Sequence, residues 1–266
     1  MSILPTLHTR RESFTDGLTI RFDEGGNGRP ILILHGGGGL QTVAGIAAGL
    51  DRAYVVVPTH PGFEGEPRPE WFNSVDDLAF AYLALLERLF LHDVLVIGNS
   101  VGGWIASAMA LHDTARRLRG LVLINATGIQ VDGHPVADVS ALKPDELAVL
   151  SFHNPAAFRF DPATITPEQV EARKANARTL GVYDQGLGGS DPKLRRRLSS
   201  VNLPVLVAWG ASDRVVDAEY GRAYASAFPH GRFELIPEAG HLPQIEQPKH
   251  LLTLVMNFAV STRATP

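Results

Sequence analysis

The amino-acid sequence predicts an α/β fold, a mostly parallel central sheet flanked by helices, with a helical insertion in its second half. Three observations predict it. Short apolar runs of strand length, PILIL at 30–34, YVVVP at 54–58, DVLVI at 93–97, GLVLI at 120–124 and PVLVAW at 204–209, alternate with helix-length segments. Such near-continuous apolar strands belong to parallel sheets covered on both faces. Several runs lead straight into glycine-rich or polar turns, and ligands of these sheets bind beyond the strands' carboxyl ends. Finally, the alternation stops between Thr127 and Leu198 and then resumes.

The chain has 266 residues, enough for one large α/β domain with a sizeable core. The expected division is a core of residues 1–126 and 199–266 and a helical cap, or lid, of 127–198. Hydrophobic residues make up 45%, charged residues 20%, and the formal net charge is -4, so no basic field draws nucleic acid. There is no cysteine, which excludes disulfides and Cys-ligated zinc or iron–sulfur sites. MSILPTLHTRRESF carries a basic pair without a continuous apolar core, and no run approaches the ~18 apolar residues of a membrane span. The expectation is a cytoplasmic protein with no membrane partner.

Taken in order, residues 12–23 alternate around Asp16-Gly17, a hairpin dipeptide, and predict two antiparallel strands at a sheet edge. Gly25-Gly26-Asn27-Gly28 reads as a flexible turn. The strand at 30–34 runs into His35-Gly36-Gly37-Gly38-Gly39, followed by a small-residue helix over about 41–50. The strand at 54–58 ends in His60-Pro61-Gly62-Phe63-Glu64-Gly65, rich in turn residues. Ser74 is placed to cap a helix with Asp76 and Asp77 in its first turn and Leu78, Tyr82, Leu85 and Leu89 on one face. A strand at 93–97 and an apolar helix at 101–111 bracket Ser100. After 120–124 the insertion holds Pro135, Pro144, Pro155, Pro162 and Pro167 between short amphipathic pieces, with a cationic helix near 168–180. The rhythm resumes with a strand ending at Asp213, a helix at 218–228, a strand at 232–236 ending near Gly240-His241, and a last helix over about 247–260.

Ser100 is the candidate nucleophile. Gly98-Asn99-Ser100-Val101-Gly102 sits at a strand-to-helix turn, where a cramped backbone exposes the hydroxyl and small residues on either side let strand and helix approach. In a chain with 26 glycines the pattern is common, so its context carries the argument. Serine is a poor nucleophile at its free pKa: it needs a base to take its proton and a carboxylate to fix that base. His241, after a glycine at a strand exit, is the base. Asp213 is the acid, with Asp217 and Asp132 as competitors and a helix cap as its bland alternative. The order Ser, Asp, His suits this machinery on an α/β sheet. An oxyanion needs two backbone donors: the N–H of Val101, whose helix-start amide has no helical partner, and an N–H of the glycine run, Gly37 or Gly38. His35 reads as structural, and the remaining histidines show no metal-ligand spacing, so no metal is expected.

These motifs together, HGGGG at 35–39, HPGFEG at 60–65, GNSVGG at 98–103, GASDRVV at 210–216 and GHLPQIEQP at 240–248, resemble the α/β-hydrolase superfamily over nearly the whole chain. The resemblance implies the α/β-hydrolase fold, the triad Ser100, Asp213 and His241, oxyanion donors at Gly37 and Val101, and a lid between Thr127 and Leu198. It implies no cofactor. Within the superfamily, GNS-x-GG and the glycine loop are similar to hydrolases that cleave carbon–carbon bonds in meta-cleavage products, and Glu171-Ala172-Arg173 with Asn176 is similar to their lid segment, whose arginine grips a carboxylate. Leu242 stands where those enzymes carry tryptophan, and Leu40 interrupts the extension of their glycine loop. Gly38, Asn99 and Arg173 are thus candidate substrate-binding residues, though an arginine on a helix is more often simply solvated.

The expected activity is hydrolysis of a small to medium carboxylic ester, thioester or lactone through an acyl-enzyme, with a small acyl molecule as partner and carbon–carbon hydrolysis as the alternative. A dinucleotide-binding protein is the reading from another class. It is opposed by the lack of G-x-G-x-x-G register after Gly36 and of an acidic residue closing the strand at 54–58. A non-catalytic binding scaffold has no chemical need for all three of Ser100, Asp213 and His241.

Overall fold

The computed structural model describes residues 7–139, 141–158 and 166–262; Pro162 lies outside them. Strands β1 (His8–Ser13) and β2 (Thr19–Gly26) form the expected antiparallel hairpin, turned through Asp16 and Gly17 at positive φ. β2 runs further than the glycines suggest: Gly25 and Gly26 pair with Val55 and Tyr54 of β4 (Ala53–Pro58), leaving Asn27 and Gly28 to turn into β3 (Arg29–Leu34). A side chain at Gly28 would lie 2.3 Å from the Arg52 carbonyl oxygen, and φ is +128°, so the turn requires glycine.

The remaining strands are β5 (Val94–Asn99), β6 (Leu118–Ile124), the short β7 (Gly128–Ile129) and β8 (Ser190–Asp191), β9 (Val205–Gly210) and β10 (Gly231–Ile236). One eight-stranded sheet runs β1-β2-β4-β3-β5-β6-β9-β10. From β4 to β10 every neighbour is parallel, which brings the carboxyl ends of β3, β5, β6, β9 and β10 to one rim.

Alternation along the central strands divides the interior into two layers. Leu32, Leu34, Val94, Val96, Leu121, Leu123, Val205 and Val207 face α2 (Val75–Arg88), α3 (Val101–His112) and α7 (Ala218–Ser226). Ile31, Ile33, Leu95, Ile97, Val122, Ile124, Leu206 and Ala208 face α1 (Ala44–Gly49) and α9 (Pro248–Ser261). Each such Val, Leu or Ile side chain, fully buried, contributes roughly 1.5–3 kcal/mol relative to exposure. Ser74 caps α2 as expected: its hydroxyl accepts from the Asp77 N–H at 3.1 Å and the Asp77 carboxylate accepts from the Ser74 N–H at 3.0 Å.

Between β6 and β9 the chain forms α4 (Pro144–Ser151), α5 (Pro167–Asp184) and α6 (Leu194–Arg197). β7 and β8 pair only with each other, in a small separate sheet. α5 starts on a Thr166/Gln169 capping box with Pro167 in its first turn. One face, Asn176, Thr179, Leu180 and Tyr183, packs on the rim. Thr179 Oγ1 donates to the Gly62 carbonyl at 2.9 Å, Tyr183 donates to the Pro61 carbonyl at 2.7 Å, and Leu180 covers Gly37. Among the described residues no helix is long and apolar enough to cross a membrane.

Candidate active site

Ser100 follows β5 directly and caps α3, with φ 55° and ψ -122°. A non-glycine residue in that region is strained and persists because its surroundings fix it. Here its N–H donates to the Ile124 carbonyl at 3.0 Å, and its carbonyl accepts from Gly103 at 2.9 Å and Thr127 at 3.2 Å. The bend brings chain against chain. A Cβ on Gly98 would lie 2.2 Å from the Gly102 carbonyl oxygen, and one on Gly102 would lie 2.3 Å from that of Leu34. Gly36 lies against the same turn, its absent Cβ 3.0 Å from Cβ of Ser100.

Asp213 and His241 lie on the loops after β9 and β10. These loops pack backbone to backbone: the Ser212 N–H donates to Ala239 at 2.8 Å, and a Cβ on Gly210 would lie 2.0 Å from the Gly240 carbonyl oxygen. His241 Nδ1 is 2.8 Å from Asp213 Oδ2. The carboxylate is buried and well supplied with donors: Oδ1 accepts from the N–H groups of Val215 at 2.8 Å and Val216 at 3.1 Å, and Oδ2 accepts from Asn125 Nδ2 at 2.6 Å. A buried charge requires that degree of compensation. Asp217, its competitor, instead caps α7 through the Tyr220 N–H and meets His134 Nδ1 at 2.7 Å.

Asn99 is buried, its amide nitrogen donated to the carbonyls of Ile124 at 3.1 Å and His241 at 3.4 Å, which ties the His241 backbone to the residue before Ser100. Gly38 packs against Thr42, and Gly39 against Glu64 and Asn176. Arg173 is exposed on α5, one turn before Asn176. Asn176 is buried: its carbonyl oxygen accepts from the Glu64 N–H at 2.9 Å and its amide donates to the Glu64 carboxylate at 3.2 Å.

Two further residues escape inspection of the sequence. Asn125, at φ 45°, holds Asp213 and accepts the Gly210 N–H at 3.2 Å. It directly follows β6, so the strand-exit rule that points to Ser100 also points to it. Glu246 accepts from Gly240 N–H at 2.7 Å and from the N–H groups of His153 at 2.9 Å and Asn154 at 3.2 Å, while the His241 N–H donates to Ser151 at 2.7 Å. The segment after α4 is thereby stitched to the His241 loop, a relation no local pattern announces.

Beneath the glycine run lie His35 and His60, ring centroids 3.7 Å apart and both buried. Burial pushes His35 down to about 4, partly offset by its hydrogen bond to Gly36, and burial followed by the neighbouring His35 pushes His60 well below the usual histidine range. Both are therefore neutral at physiological pH. Among the described residues no three His, Asp or Glu side chains converge as a metal-ligand set.

A model of the "Alpha/beta hydrolase family" matches residues 31–252. A 2-hydroxy-6-oxo-6-(2'-aminophenyl)hexa-2,4-dienoic acid hydrolase of Metapseudomonas resinovorans is 26% identical, over 93% of this chain and 89% of that protein. Lipase 3 of Moraxella sp. (strain TA144) is 25% identical, over 84% of this chain and 74% of its own length. The solved structure of a thermophilic esterase from Thermogutta terrifontis has the same fold, with TM-score 0.74, 24% identity and coverage of 97% and 99%.

Proposed function

The chain belongs to the α/β hydrolase family and is a hydrolase, and from that premise we propose that it cleaves a small to medium carboxylic ester, thioester or lactone through an acyl-enzyme at Ser100. The observation that carries this reading is the Asp213–His241 pair, 2.8 Å apart, on the rim where Ser100 stands in a strained turn. The Asp213 oxygen only accepts, so His241 carries its proton on Nδ1 and presents Nε2 as the base.

In the first half-reaction His241 Nε2 takes the Ser100 hydroxyl proton as Oγ bonds to the acyl carbon, and Asp213 stabilises the imidazolium. The carbonyl oxygen becomes an oxyanion held by the N–H groups of Val101 and Gly37, with Gly38 beside them. Collapse breaks the bond to the leaving group, which takes the proton from His241. Water, deprotonated by His241, then attacks the acyl carbon; collapse breaks the bond to Ser100 Oγ, which takes the proton back from His241, and the carboxylic acid leaves. The described residues of the 127–198 insertion cap this site and set the substrate's shape, with α5 as its wall. Asn99 serves through the His241 backbone it holds.

Full-length similarity to the dienoic acid hydrolase favours a second reading, carbon–carbon cleavage with Arg173 gripping the substrate carboxylate. Pre-steady-state hydrolysis of p-nitrophenyl esters of graded acyl length decides. A burst of p-nitrophenol stoichiometric with enzyme is expected. A linear onset with every ester, alongside bleaching of a coloured dienoic acid that Arg173→Ala weakens through KM, gives the second reading instead.

A further inference from the structure

Below the glycine run, four hydrogen bonds tie Tyr82, His60, His35 and Gly36 together, and what each atom can do fixes the direction of each bond. His35 Nδ1 lies 2.8 Å from the Gly36 carbonyl oxygen, an acceptor only, so Nδ1 carries the proton. His35 Nε2 accepts the His60 backbone N–H at 3.1 Å, so it carries none. His60 Nε2 lies 2.9 Å from the His35 carbonyl oxygen and must donate. That leaves His60 Nδ1 as the acceptor for the Tyr82 hydroxyl at 2.5 Å. His35, His60 and Tyr82 are all buried.

These bonds lead to the peptide unit linking Gly36 to Gly37. Its carbonyl accepts from His35 and also from the Gly39 N–H at 3.1 Å. In a trans peptide the C=O and N–H point in opposite directions, and no cis bond occurs among the described residues. Holding the Gly36 oxygen toward the buried histidines therefore aims the Gly37 N–H away from them. Glycines carry no side chain to hold this orientation, so without the hydrogen bonds the peptide is free to turn.

We infer that Tyr82 and His60 are positioning residues for the oxyanion donor: the Tyr82 hydroxyl holds His60 in its Nε2–H tautomer, that Nε2–H holds the His35 carbonyl and so the backbone entering Gly36, the His60 backbone N–H holds the His35 ring with its proton on Nδ1, and His35 Nδ1–H orients the Gly37 N–H. This rests on the assignment of Gly37 to the oxyanion hole. Without the Tyr82 hydroxyl, His60 is released to move its proton to Nδ1, and the link to the His35 carbonyl is lost.

Two measurements on the full chain test it. Nitrogen-15 NMR of the wild-type histidines should find His35 as the Nδ1–H and His60 as the Nε2–H tautomer; either histidine in the opposite form overturns the inference, whether or not any variant folds. In Tyr82→Phe, which removes one oxygen, kcat should fall about tenfold with KM within about twofold, less than the loss of a whole oxyanion donor, and Ser100 labelling by a fluorophosphonate should slow in parallel. Equal kcat and equal labelling in Tyr82→Phe overturn the inference alone. A wild-type chain that no fluorophosphonate labels removes the oxyanion reading and this inference with it.

Discussion

Asn125 and His241 hold the same carboxylate oxygen: Asn125 Nδ2 is 2.6 Å and His241 Nδ1 2.8 Å from Asp213 Oδ2. The asparagine at the end of β6 thus sets the direction from which Asp213 meets the histidine. Asn125→Ala leaves a buried carboxylate short of a donor and strands the Gly210 N–H. It should lower stability by about 1–3 kcal/mol and reduce kcat more than it raises KM. Urea unfolding and steady-state kinetics check this; an unchanged kcat would show that Asp213 needs no such support.

Asp213→Asn keeps the shape but turns an acceptor toward a possible donor, so His241 loses the partner that fixes its proton on Nδ1. The expected fall in kcat is of order 10³–10⁴ with the fold intact, by the tautomer argument for Ser-His-Asp enzymes. Asp217→Asn, at the α7 cap, should leave kcat within about twofold and cost about 1 kcal/mol of stability or less. The reverse ranking would return Asp217 to the site.

Glu246 accepts from the residue before His241 and from two residues after α4. Glu246→Ala should speed amide hydrogen exchange at Gly240, His153 and Asn154 together and destabilise by about 1–3 kcal/mol. Exchange that rises at only one of these segments would mean the carboxylate does not couple them.

Acid sensitivity follows from His35. Its pKa is pushed from 6.5 to about 4 in the fold, chiefly by burial. As the pH falls from 6.5 to 4 the unfolded chain binds a proton that the folded chain refuses, so stability drops through that window; above 6.5 both states are neutral and the effect vanishes. At its limit the loss is about 3 kcal/mol, and His60 adds to it in the same direction. Denaturant midpoints should fall from about pH 7 to about pH 5, with a shallower fall in His35→Asn if that variant folds. A flat profile in the wild type contradicts the buried neutral pair.

The strand-ending residues are legible in the sequence because a parallel sheet gathers them by construction: Ser100 after β5, Asp213 after β9 and His241 after β10 need only the right period and the right exits. Choosing Asp213 over Asp217 is different. Both are aspartates near one turn, and only the packing of the Ser212 and Ala239 backbones decides which reaches His241. Asn125 escapes because an asparagine after a strand reads as a turn residue. The contacts of Glu246 with His153, of Asn176 with Glu64 and of Tyr82 with His60 escape because each of these partners lies far away in the sequence. β7 and β8 are two residues each, too short for any periodicity. The glycines at 25 and 26 mislead, since a flexible sequence is drawn into the ladder with β4.

The most direct test of the proposed chemistry is intact-protein mass after incubation with a fluorophosphonate, with peptide mapping of the adduct and parallel ester turnover in Ser100→Ala. One adduct per chain, on Ser100, and loss of turnover in a folded Ser100→Ala are the predicted results. An adduct on another residue, or ester hydrolysis that survives the substitution, would contradict the account.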